Sequence, residues 1–211
     1  LAVLEQTHSG KTYDYGITTA HGLVDQDGTP LKGCYILDFN GGKFPVKYIT
    51  VAKNYAPGSI TDWAVVSFKR LENPSIMRYA LTSPMEAPFY ENLAEQHLAV
   101  RFSSARGIPD DRQKCQLYPR RYAGLTNPRF IGLIPHDCRA VRGQSGTPVS
   151  IVRNGQHIVL GMHMGSLLTL GTDYTTKAKT HGFMRVFDDS LRAELSIAIT
   201  RNDTLVKKVA P

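Results

Sequence analysis

The sequence predicts an all-β fold made of two sets of strands, a connector between them and a short C-terminal helix. Three observations predict it. Short apolar or alternating runs recur along the chain, turn tripeptides such as Asn40-Gly41-Gly42 separate them, and prolines gather near the middle. Helical spacing of apolar residues is read only near the C-terminus.

In the first half, residues 1–5 and 13–19 flank His8-Ser9-Gly10 and read as a hairpin. Residues 31–39 and 44–52 flank Asn40-Gly41-Gly42, whose residues tolerate the left-handed backbone a tight hairpin needs. Residues 62–68, Asp-Trp-Ala-Val-Val-Ser-Phe, form a nearly continuous apolar strand. Pro74, Pro84 and Pro88 then interrupt the pattern, so residues 71–96 read as a connector between a lobe at 1–70 and a lobe at 97–187.

The second half resumes the strand rhythm at residues 97–102, 113–122 and 129–135, the latter two joined at Thr126-Asn127-Pro128. Residues 147–152 and 158–164 pair around Arg153-Asn154-Gly155, and residues 181–187 close the series. After Asp188-Asp189, the residues Leu191, Leu195, Ala198 and Ile199 share one helical face. Acids at its start suit the helix dipole, so 188–211 reads as a helix and tail.

At 211 residues the chain has the bulk for one large β domain or two small lobes. No apolar run is long enough to cross a bilayer, and the first residues do not read as a signal peptide. A start at Leu1 reads as a processed or trimmed product. Cys34, Cys115 and Cys138 show no metal-type spacing and cannot all pair with one another, so three reduced thiols are the default expectation. No metal or organic cofactor is expected. Net charge is +7, and the segment from Arg101 to Arg142 carries nine basic residues against three acidic ones. That bias fits either a solvated basic surface or an acidic partner, RNA being the common one.

The candidate chemistry centres on Gly143-Gln144-Ser145-Gly146-Thr147-Pro148-Val149. Glycines on both sides of a serine let the backbone turn sharply and bring N–H groups toward a bound carbonyl. His21 follows the apolar run Ile17-Thr18-Thr19-Ala20, a place where an imidazole is half-buried yet reaches a cleft. Asp62 enters Trp63-Ala64-Val65-Val66, where a carboxylate needs a partner against the cost of desolvation. Each taken alone is a weak signal. Together they run in the order base, acid, nucleophile.

These local sequences resemble the chymotrypsin-like peptidases. A narrower resemblance is carried by Gly161-Met162-His163-Met164-Gly165 and His181-Gly182-Phe183, which are similar to the end of viral 3C-like proteases of the picornaviral type. Ser145-Gly146-Thr147-Pro148 is shared with the sobemovirus-type serine proteases. The resemblance implies two six-stranded antiparallel β-barrels. It also implies a Ser145–His21–Asp62 triad, an oxyanion hole from the Gly143 and Ser145 N–H groups, and a pocket lined by His163, with Gly165 and Ala140 beside it. Such a pocket favours Gln or Glu before the scissile bond, and the substrate is then a viral polyprotein processed in the host cytoplasm. Ala140 departs from the threonine that many of these proteases carry there. Because 3C-type enzymes often use cysteine, Ser145 fits both a native nucleophile and a Cys→Ser replacement. Two other readings stand beside this one: a secreted glutamyl endopeptidase of the bacterial type, and a peptidase-like fold that binds RNA through the 101–142 region.

Overall fold

A computed structural model of the chain describes residues 2–3, 13–25, 27–37, 42–69, 80–81, 87–102, 114–166 and 182–209. The first sheet contains β1 (Ala2–Val3), β2 (Tyr13–Thr18), β3 (Tyr35–Leu37), β4 (Lys43–Val51) and β5 (Ala64–Lys69), in the antiparallel order β1-β2-β5-β4-β3. After it come β6 (Ala80–Leu81) and α1 (Ala87–Glu95). The second sheet is built from β7 (Ala99–Phe102), β8 (Lys114–Gln116), β9 (Leu133–His136), β10 (Pro148–Arg153), β11 (Gln156–Ser166) and β12 (Gly182–Val186), and α2 (Asp189–Val209) ends the chain. Its order is β8-β7-β10-β11-β12-β9, and an antiparallel bridge between Leu117 and His136 ties β9 back to β8. The second sheet is therefore barrel-like.

The strand count differs from the expected six and six: among the described residues the sheets have five and seven strands. β12 covers β11 only from Gly161 onward, which leaves an edge at Ile158 and Val159. β6, from the supposed connector, takes that edge in parallel.

Period-2 alternation decides which cluster each strand residue serves. On β5, Val65 faces an apolar cluster shared by both sheets, whereas Val66 and Phe68 face a smaller cluster inside the first sheet. On β12, Phe183 and the following Phe187 join the shared cluster, while Met184 and Val186 point into the second sheet. α2 lays Leu191, Leu195 and Ala198 into the shared cluster, which also holds Tyr15, Ile17 and Trp63 of the first sheet. Asp188 starts that helix by accepting the Leu191 N–H at 2.9 Å.

Three expectations need correction. The connector contains α1, whose Tyr90 and Ala94 pack into the second sheet's core. Pro88 lies in its first turn, where a missing N–H costs no hydrogen bond. Residues 113–122 and 129–135 are not a hairpin: strand pairing is confined to β8 and β9, and two 3₁₀ turns at Arg120–Ala123 and Pro128–Phe130 intervene. Asn127 caps the second turn through its side chain, a role that the tripeptide around it disguised as a hairpin loop. Finally, Cys115 and Cys138 form a disulfide, because barrel closure brings their Cα atoms to 4.9 Å; Cys34 stays a thiol. The hairpin at His8-Ser9-Gly10 and most of the turn at residues 40–42 lie outside the described residues.

Candidate active site

Asp62 is fully buried at the end of the loop between β4 and β5. A carboxylate without water is costly unless donors surround it, and four do. Oδ1 accepts the N–H groups of Ala20 and His21, each at 2.9 Å. Oδ2 accepts the Gly58 N–H at 2.7 Å and the His21 Nδ1–H at 2.7 Å. An ionised carboxylate at Nδ1 fixes the proton there and leaves the Nε2 lone pair free. The hydrogen bond to Asp62 raises the His21 pKa above 6.5, against an opposing effect of burial, and the negative charge of Asp62 adds to the rise. The His21 side chain is 34% exposed, so the imidazole has solvent on one side.

Ser145 comes from the other sheet. Gly143 and Gly146 hold left-handed φ values of +89° and +82°, which turn the chain sharply on either side of it. The turn is tied within itself: the Gln144 side chain is buried and accepts the Val141 N–H at 2.8 Å. It is tied to β11 by Gly146 N–H donating to the His163 carbonyl at 2.7 Å and His163 N–H donating to the Thr147 carbonyl at 2.8 Å. It also abuts the first sheet, since a Cβ on Gly146 would collide with the Thr18 hydroxyl and lie 3.1 Å from the Thr19 nitrogen. The serine turn thus seats against the end of β2, shortly before His21. Neither the Gly143 nor the Ser145 N–H donates to a described residue.

His163 sits on β11 at a register shift against β12, and its side chain is almost wholly buried. A bulge of this kind re-aims a strand side chain. Its Nδ1 is 3.0 Å from Nε2 of His136, which is fully buried on β9. The Cys138 N–H donates to His136 Nδ1 at 3.2 Å, so the proton of a neutral His136 rests on Nε2 and points at His163 Nδ1. His163 then carries its own proton on Nε2. Burial drives the His163 pKa down to about 4, helped by the positive charge on His21. The ring is a neutral donor near neutral pH. Gly182 makes room for both imidazoles, because a Cβ there would lie 2.8 Å from His136 Cε1 and 3.0 Å from His163 Cε1.

Among the predicted residues, His21 and Asp62 form a hydrogen-bonded pair. The neighbours of Ser145 in its turn, Gly146 and Thr147, are bonded to His163, with Gly146 abutting Thr18 and Thr19 just before His21. Gly165 pairs with Phe183 beyond the bulge, and Ala140 is exposed just before the turn. His181 lies outside the described residues. Sequence reasoning missed His136 and the structural part played by Gln144. The signal for His136 was a histidine in the apolar run Leu133-Ile134-Pro135, but its partner is 27 residues away. In the basic segment, Arg120 and Arg121 pair with Glu91 and Glu95 of α1, and Arg129 stacks on Phe130. Arg139 and Arg142 are exposed. No group of metal-ligating side chains occurs among the described residues, and no described helix is long and apolar enough to cross a membrane. No protein-family model matches the chain, and no curated protein matches its sequence significantly.

Proposed function

We propose that this protein is a serine endopeptidase with a chymotrypsin-like double barrel. Ser145 is its nucleophile, His21 its base and Asp62 the group that orients the base. The observation that carries this reading is the His21 Nδ1–Asp62 Oδ2 hydrogen bond at 2.7 Å, which leaves the Nε2 lone pair available. It is supported by the seating of the serine turn against Thr18 and Thr19, shortly before His21. His21 Nε2 takes the Ser145 proton as Oγ bonds to the scissile carbonyl carbon. The oxyanion is held by the N–H groups of Gly143 and Ser145, each such donor being worth roughly 3 kcal/mol in the transition state. His21 then delivers the proton to the leaving amine as the C–N bond breaks, and water hydrolyses the acyl-enzyme by the same route.

The residue before the scissile bond is Gln or Glu. Neutral His163, its Nδ1 occupied by His136, offers one Nε2–H to a side-chain carbonyl or carboxylate oxygen in an apolar setting with Phe102 at 5.4 Å. The Cys115–Cys138 disulfide favours a bacterial-type glutamyl endopeptidase of an oxidising compartment over a viral polyprotein protease of the cytoplasm.

The test is cleavage of a peptide library that varies the residue before the bond. Ser145→Ala should lose cleavage by at least about a thousandfold while keeping the fold. His163→Ala should lose preference for Gln and Glu while residual cleavage elsewhere persists. Undiminished cleavage by folded Ser145→Ala would falsify the assignment.

A further inference from the structure

Alternation along β12 puts Arg185 on the same side as Phe183 and Phe187, facing the first sheet. Its side chain is only 5% exposed, a costly place for a guanidinium. Asp188 neutralises it through two parallel bonds, Nη1 to Oδ2 at 2.7 Å and Nη2 to Oδ1 at 3.0 Å. Nη1 also donates to the Val186 carbonyl at 2.8 Å. All of these bonds stay within the second sheet and the start of α2. The Nε–H donor does not. Nε donates to the Ile60 carbonyl at 3.1 Å, in the loop between β4 and β5 that ends at Asp62.

That loop is short of regular structure and rests on particular bonds. Asp62 N–H donates to the Ser59 carbonyl at 3.1 Å, the Thr61 hydroxyl to the Asn54 carbonyl at 2.7 Å, and Gly58 N–H to Asp62 itself. Ile60 lies between Gly58 and Asp62, so a carbonyl fixed from the other sheet restrains both the carboxylate and one of its donors. We infer that Arg185 is a positioning residue for the His21–Asp62 pair, acting across the junction of the two sheets through its Nε–H and the Ile60 carbonyl. Because Asp188 cancels its charge, it works by geometry rather than by field. Among the described residues, the titratable groups that interact electrostatically with the pair include His163, which the charge on His21 lowers, and Tyr55, which the charge on Asp62 raises. The inference takes the pair as catalytic from the reading above, but its primary readout does not require activity.

The test is Arg185→Lys, which keeps a positive charge for Asp188 but lacks the guanidinium's separate, fixed Nε–H, the donor that reaches Ile60. The His21 ring titration, followed by NMR, should fall toward 6.5 as Asp62 loosens. kcat should drop about tenfold with KM within about twofold, as a small misplacement of a base implies. Two uncharged pairs guard against misfolding: Arg185→Gln with Asp188→Asn keeps an N–H where Nε stands, and Arg185→Met with Asp188→Asn lacks it. The glutamine pair should hold the His21 titration at the starting value and the methionine pair should not. An unchanged His21 titration in folded Arg185→Lys, or equal titrations in the two pairs, overturns the inference. A starting protein that cleaves no peptide would sink the proposed function instead, and the His21 titration would still decide the part played by Arg185.

Discussion

Two imidazoles of this protein, those of His21 and His163, are shifted in opposite directions by their surroundings. His21 shares a proton with a buried carboxylate and is pulled up, whereas His163 lies in an apolar setting and is pushed down to about 4. For the proposed reaction only neutral His21 is a base, so kcat/KM should rise with pH through a pKa above 6.5. An acid limb at or below 6.5 in the pH–rate profile would contradict this. Stability follows the opposite sign for the same group. A raised folded pKa contributes stability that is present below 6.5 and lost as pH rises through the folded value. His163 acts in the other direction: its unfolded form takes up a proton from 6.5 downward while the folded form resists to about 4, so its contribution is lost as pH falls across that window. Local motifs made His21, Asp62, Ser145 and His163 legible, since each lies beside small or apolar residues that announce a strand end or turn. The roles of His136 and Arg185 were not legible. The apolar run before His136 does not reveal its partner on β11, Arg185 has no local signature, and the Ile60 carbonyl it reaches lies in the other sheet's loop.

At the scale of elements, strand existence was read more reliably than extent. Residues 44–52 and 147–152 match β4 and β10 almost end to end. Residues 113–122 carried enough apolar and aromatic side chains to look like one strand, yet the chain leaves the sheet after Leu117 and buries Leu125 and Phe130 through 3₁₀ turns. α1 ends without the glycine that commonly closes a helix: His97 takes the left-handed φ of +50°, and Leu98 N–H closes on the Leu93 carbonyl at 3.1 Å. The disulfide belongs to this scale, as a staple between β8 and the segment after β9. Replacing Cys115 and Cys138 together by alanine should lower the unfolding free energy by about 3 kcal/mol, read as a lower urea midpoint. A midpoint that equals that of the starting protein would show that the staple adds nothing to the barrel closure already made by Leu117 and His136.

For the whole molecule, the decisive feature is the apolar cluster common to both sheets and α2. Trp63, the sole tryptophan, reports it from the first sheet, and Leu195 enters it from the C-terminal helix. The two sheets should therefore unfold as one unit. Leu195→Ala should cost about 3 kcal/mol and shift the Trp63 fluorescence and far-UV circular dichroism transitions together. Separate transitions would mean that the sheets are independent. Strand periodicity, turn chemistry and short motifs are local properties, and from them alone the chain is a β-rich protein with a histidine, an aspartate and a serine in a meaningful order. Distances between elements are not local. The His136–His163 contact and the Cys115–Cys138 bond exist because the second sheet closes back on itself. The seating of the serine turn on β2 and the reach of Arg185 to Ile60 exist because packing of the shared cluster sets one sheet against the other. That packing depends on every strand at once, which is why no single stretch of sequence announces it.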